Sequence, residues 1–137
     1  MSAPPLVYGL AAAVYLGFQL TVRLVVYPQF ARVPAEGFAA FEHAHRRTIT
    51  PLVALLFGLL ALSATGLLVT GPRAAGVVAE ALLGGILAVT ALGAVPQHAA
   101  LSQGFTAPAY ERLLRWDTLR VVLALAQVTL GVLVLVP

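Results

Sequence analysis

The chain has no cysteine and no lysine, and only 9% of its 137 residues are charged. The first absence excludes disulfides, thiolate metal sites and a cysteine nucleophile, and leaves the redox compartment open. The second puts the whole cationic complement on eight arginines, which gives a net charge of +3 against five acidic residues. Those arginines are few and lie against apolar sequence instead of forming a basic patch, which argues against a nucleic-acid partner. A Gly-rich nucleotide loop is also missing, so no cofactor is expected. Apolar residues are abundant, at 61% of the chain with a mean hydropathy of +0.97. A soluble domain of this size could not hide that much apolar surface.

Four apolar runs, Leu6–Tyr27, Ile49–Thr70, Ala74–Val95 and Leu119–Val136, each approach or exceed the roughly 18 residues a helix needs to cross a bilayer. No charged segment precedes the first run, which is too long for a signal-peptide core, so it reads as a retained span. The expectation is a single all-α domain over residues 1–137, an integral membrane four-helix bundle with the lipid bilayer as its main partner. Arg32, Arg46, Arg47, Arg112 and Arg115 flank one face, with Arg23 and Arg120 just inside it, and the opposite face has only Arg73. The positive-inside rule makes the arginine-rich face cytoplasmic and leaves both termini outside. The arginine-only cation set fits a GC-rich genome, and the expected location is a bacterial inner membrane.

Between the spans, the polar stretches read as short interfacial helices capping one face. Pro34 suits a first helical turn with Glu36 beside it, and Pro108 with Glu111 repeats the arrangement. Phe38, Phe41 and His45 would place an apolar edge on the bilayer surface. The halves also echo each other. Tyr27-Pro28-Gln29-Phe30-Ala31 resembles Val95-Pro96-Gln97-His98-Ala99, Gly37-Phe38 resembles Gly104-Phe105, and Phe41-Glu42 with Arg46 resembles Tyr110-Glu111 with Arg115. Two repeated helical hairpins would follow.

All three histidines and seven of the eight arginines lie in or beside Arg23–Thr50 and Pro96–Arg120, so any chemistry is gathered at that face. Glu42 and His45 are i, i+3 neighbours, a spacing used in di-metal bundles. The matching position of the second half is Leu114, and no metal is assigned. The alternative for Glu42 is pairing with Arg46. Tyr15, Gln19 and Arg23 form one polar stripe on the first span, and Asp117, Arg120 and Gln127 form another on the fourth, beside Trp116. A buried guanidinium faces either a partner or a cavity. Both readings stand, and Arg23 and Asp117 are expected to face inward and to be coupled by an ion pair or a shared ligand. Pro96 should end or unwind the third span, leaving His98 to shuttle protons or bond a ligand oxygen. Glu80 serves either helix packing or a proton path near Tyr8. Small residues at Ala54, Gly58, Ala61 and Thr65, and at Gly84, Ala88 and Ala91, offer close-packing faces for the bundle or a homo-oligomer.

Pro28, Val95-Pro96-Gln97-His98-Ala99-Ala100-Leu101 and Trp116-Asp117-Thr118-Leu119-Arg120 together resemble the small four-helix membrane proteins related to anthrone oxygenases. That family has asparagine where this chain has His98 and Asp117. The resemblance implies oxidation of a lipophilic, polycyclic phenol by molecular oxygen without a classical cofactor. By analogy, the expected catalytic residues are His98 or His45 as the base that removes an activated substrate proton and Arg120 to stabilise the anion, with Arg23, Gln19, Tyr27, Gln97, Trp116 and Asp117 binding a lipophilic aromatic or quinone-like substrate. The competing class is a non-enzymatic carrier or accessory subunit whose polar residues lock the bundle.

Overall fold

The computed structural model describes residues 3–136. It is an up-down bundle of four helices, α1 (Ala3–Phe30), α2 (Ala35–Thr70), α3 (Arg73–Leu101) and α4 (Ala107–Leu135), each long and apolar enough to span a membrane. The chain is therefore a multi-pass membrane protein. The helices form a closed ring in which α1 packs on α2 and α4, and α3 packs on the same two neighbours. Leu10, Leu24, Leu62, Val69, Leu92 and Leu133 are 59–75% exposed, giving the outer surface the apolar character a hydrocarbon solvent requires.

The helices run past the apolar segments of the sequence. Separate interfacial helices are not formed: residues 35–50 are the first turns of a continuous α2, and residues 107–118 belong to α4. Pro34 and Thr106 hold the extended cap positions, Glu36 lies in the first turn of α2 and Pro108 in that of α4, where a missing N–H costs nothing. Pro51 lies inside α2 without ending it. The edge at Phe38 also turns inward. Phe38 is fully buried, with its ring 6.0 Å from Phe30 and 5.2 Å from Phe105, and with Leu101 and Leu113 these rings form an aromatic cap.

Neither Pro28 nor Pro96 breaks its helix. Each is preceded by a π-helical turn, Val22–Val26 in α1 and Thr90–Ala94 in α3. In these turns the N–H of Tyr27 reaches the carbonyl of Val22, and the N–H of Val95 reaches that of Thr90. The wider turn re-pairs backbone groups ahead of the proline, so the helix continues at membrane depth. Tyr27-Pro28-Gln29 and Val95-Pro96-Gln97 are thus alike in backbone as well as in sequence. Gly37 and Gly104 are not, since Gly37 is helical and Gly104 is in a loop at φ 135°.

Lipid offers helices little hydrophobic reason to associate, so close approach matters more. A Cβ on Gly93, within the second π turn, would come 2.2 Å from the Trp116 indole, and one on Gly76 would come 2.2 Å from the Leu68 backbone. Of the small residues expected to pack, Ala61 lies against the core around Leu60 and Ile86, while Ala54, Gly58, Thr65, Gly84, Ala88 and Ala91 are exposed on the outside of the bundle.

Candidate functional site

Toward the arginine-rich end, seven side chains from all four helices form one hydrogen-bonded chain. Glu42 Oε1 on α2 lies 2.6 Å from His98 Nδ1 on α3, and His98 Nε2 lies 3.1 Å from the Tyr27 hydroxyl on α1. Arg120 Nη2 on α4 donates to the Tyr27 oxygen at 3.1 Å and to Asp117 Oδ1 at 2.5 Å. Gln19 Nε2 donates to the same carboxylate oxygen at 2.5 Å, and Tyr15 donates to Gln19 Oε1 at 3.4 Å. One proton arrangement satisfies every link. The Glu42 carboxylate accepts from Nδ1–H, Nε2 is left to accept from Tyr27, and Tyr27 accepts from Arg120.

The π turn ahead of Tyr27 and the one ahead of Val95 set the rotation of the last turns of α1 and α3, so Tyr27 and His98 meet inside the ring. Tyr110 donates to the Tyr27 carbonyl at 3.0 Å, fixing the turn that bears it. His45 stacks on His98 with ring centroids 5.7 Å apart and on Phe41 at 6.4 Å.

Beside this chain lies a cavity of about 210 Å³ lined by the polar side chains of Tyr27, His45, Arg46, His98 and Arg120, with Phe18, Val22, Ile49, Val53, Ala94 and Val95 supplying apolar walls and Thr50 and Thr90 a hydroxyl each. The carboxylates of Glu42 and Asp117 are fully buried, and Arg120 is 6% exposed. His45 Nε2, Arg120 Nε, Glu42 Oε2 and Asp117 Oδ2 have no hydrogen-bond partner among the described residues. Buried polar atoms without partners are costly, and a ligand oxygen is one way to satisfy them.

Four of the nine residues singled out from the sequence line the cavity: Tyr27, His45, His98 and Arg120. Gln19 and Asp117 lie in the hydrogen-bonded chain behind Arg120. Arg23, Gln97 and Trp116 do not line the cavity. Arg23 is half-buried and forms no ion pair among the described residues, so the pair expected between Arg23 and Asp117 is replaced by the i, i+3 pair of Asp117 with Arg120. Gln97 accepts from Arg112 Nε at 3.1 Å, and Trp116 packs over Gly93. Glu42 pairs with neither Arg46 nor His45. Its partner is His98, while Arg46 Nη1 donates to Ser102 Oγ at 2.9 Å. The sequence signal for Glu42 is its place on the face of Phe38, His45 and Ile49, the buried side of α2. No group of three or more metal-ligating side chains is found among the described residues.

A second polar cluster lies nearer the other end. Tyr8 donates to Gln127 Oε1, Gln127 Nε2 donates to the Ala79 carbonyl at 3.4 Å, and Glu80 accepts from Thr65 at 2.8 Å. An apolar layer of Ala12, Leu60, Leu83, Ile86 and Ala124, to which the Tyr15 ring also belongs, lies between it and Gln19. Glu80 therefore ties α3 to α2, and among the described residues the side-chain hydrogen bonds do not run continuously from one end of the bundle to the other. No protein-family model, curated protein or solved structure matches the chain.

Proposed function

We propose that this protein is a membrane oxidoreductase of the oxygenase type, acting on a lipophilic aromatic or quinone-like molecule held in the cavity beside Tyr27, His98 and Arg120. One observation carries the reading. The Tyr27 oxygen sits between an imidazole nitrogen and a guanidinium, each 3.1 Å away, at the edge of a cavity whose remaining walls are mostly apolar. An activated substrate proton would pass to the Tyr27 oxygen as the Tyr27 proton moves to His98 Nε2. Glu42 would hold the resulting imidazolium, and Arg120 would face the substrate anion. Dioxygen is the oxidant: an activated ring CH₂ and O₂ give a ring carbonyl and water, so one oxygen atom enters the product and the other leaves reduced. The resemblance to anthrone oxygenases, carried by the short motifs around Pro96 and Trp116, supports this chemistry. His98 and Asp117, which replace asparagines of that family, both belong to the hydrogen-bonded chain. The arginine asymmetry supports a cytoplasmic orientation of this end.

A non-enzymatic carrier or accessory subunit is the second reading, favoured by the four-helix span of the chain, which also serves to lock the bundle. Dioxygen uptake by protein in nanodiscs, with anthrone and with 1-naphthol as substrates, separates the two. The oxygenase reading expects uptake matched to carbonyl product, falling on the order of 10²-fold in Tyr27→Phe and His98→Gln. Ligand binding without uptake would leave the carrier reading, and neither binding nor uptake the accessory one.

A further inference from the structure

The walls of the cavity determine how a ligand reaches it. On the polar side it is closed. Phe30 lies 5.0 Å from His45 and 6.3 Å from His98 between ring centroids, Phe41 stacks on His45, and Phe38, Phe105 and Leu101 pack behind them. On the far side lies the apolar layer around Leu60 and Ile86. Two seams border the remaining sides: that between α1 and α2, where a separate outer cleft shares Phe18, Val22, His45 and Ile49 with the cavity wall, and that between α2 and α3, where both helices line the cavity itself and which is held at two places. The Gly71-Pro72 turn joins the helices at one end, and α2 packs closely along Arg73–Val89. At the other end Glu42 meets His98, and Arg46 meets Ser102. Between these ties α2 contributes Ile49, Thr50 and Val53, α3 contributes Thr90, Ala94 and Val95, and the helices touch little. Thr50 is exposed and Val95 is 50% exposed on the outer surface, among the apolar side chains that face lipid.

We infer that this seam is a lateral window through which the ligand enters and leaves within the bilayer, and that the ligand is a one- or two-ring phenol or quinone bearing an apolar substituent. The inference rests on the proposed function of the same cavity and narrows its substrate. Pockets for drug-sized ligands span roughly 300–1,000 Å³. At about 210 Å³ this cavity takes a small ring system and leaves the rest of the molecule in the window. A ligand arriving through lipid must already partition there, which the apolar walls and rim favour. The ring oxygen then meets the polar end formed by Tyr27, His98 and Arg120, with His45 beside it, while the substituent trails past Thr50 and Val95.

The absence of cysteine and the single tryptophan make a direct test available. Trp116 packs over Gly93, next to the cavity residue Ala94, so a bound quinone should quench its fluorescence. Association of 2-decyl-1,4-naphthoquinone would be followed by stopped-flow quenching in nanodiscs. Single-cysteine variants Val95→Cys, on the window rim, and Gln103→Cys, exposed at the polar end, would each be compared before and after reaction with N-benzylmaleimide. The adduct at position 95 should slow association by at least about tenfold, and the adduct at 103 should leave it unchanged. Slowing by the adduct at 103 alone, or by neither, would overturn the window while leaving the cavity as the binding site. If unlabelled protein shows no saturable quenching by this quinone, the proposed function fails and the window with it.

Discussion

His98 Nδ1 on α3 lies 2.6 Å from Oε1 of Glu42 on α2, a carboxylate with no exposed surface. This contact joins helices that touch little elsewhere along their arginine-rich halves. Removing one partner of a buried pair leaves the other uncompensated, typically at a cost of about 3–5 kcal/mol. Glu42→Ala should therefore destabilise the detergent-solubilised protein strongly, and its effect should be non-additive with His98→Ala. With Arg46→Ala, which removes the separate bond to Ser102, the two losses should add more nearly. A thermal-unfolding double-mutant cycle reads both outcomes.

Asp117 should behave as the partner of Arg120 and Gln19. Asp117→Ala leaves a guanidinium that is only 6% exposed without its carboxylate, again a cost of about 3–5 kcal/mol. Arg23→Ala removes a half-buried side chain with no ion pair among the described residues, and should cost under about 1 kcal/mol. The two effects should sum in the double variant. Marked coupling between them would mean that Arg23 reaches the Asp117 carboxylate after all.

Gly93 marks where α3 and α4 approach through an indole. A methyl group there would sit 2.2 Å from Trp116, so Gly93→Ala must displace the ring. Overpacking of this kind costs about 1–3 kcal/mol, and the displaced indole should shift the fluorescence emission of the sole tryptophan. Gly84→Ala is the control, because a Cβ there meets nothing within 4 Å.

The orientation of the bundle is testable at two exposed positions on opposite ends, Pro72 between α2 and α3 and Gln103 after α3. In inside-out vesicles an impermeant maleimide should label Gln103→Cys and spare Pro72→Cys. The reverse pattern would place the arginine-rich end outside, against the positive-inside reading.

Hydropathy and arginine asymmetry were enough to read four spans and a polar end, because length and charge act through the bilayer directly. The helix ends were harder to read. A proline after an apolar run looks like a stop, but the π turns before Pro28 and Pro96 re-pair the backbone and carry α1 to Phe30 and α3 to Leu101. Phe38 looked like a surface edge because its burial depends on Phe30 and Phe105, residues from other elements. The partner of Glu42 is hidden from the sequence for the same reason. Local spacing offered His45 and Arg46, each worth a few tenths of a kcal/mol as helix neighbours. Tertiary packing supplied His98, 56 residues away, in a buried pair.

The central claim is that the cavity holds the ring oxygen of a lipophilic aromatic ligand against Tyr27, His98 and Arg120. The most direct test is ligand-induced thermal stabilisation of the protein in nanodiscs with a panel of alkylated naphthoquinones, naphthols and anthrones. Wild type should be compared with Tyr27→Phe, His98→Gln and Arg120→Gln variants whose helical content is unchanged. The account predicts a dose-dependent rise in wild-type Tm with at least one compound, and a rise that shrinks or vanishes in all three variants. No stabilisation of wild type by any compound, or equal stabilisation of the folded variants, would contradict it.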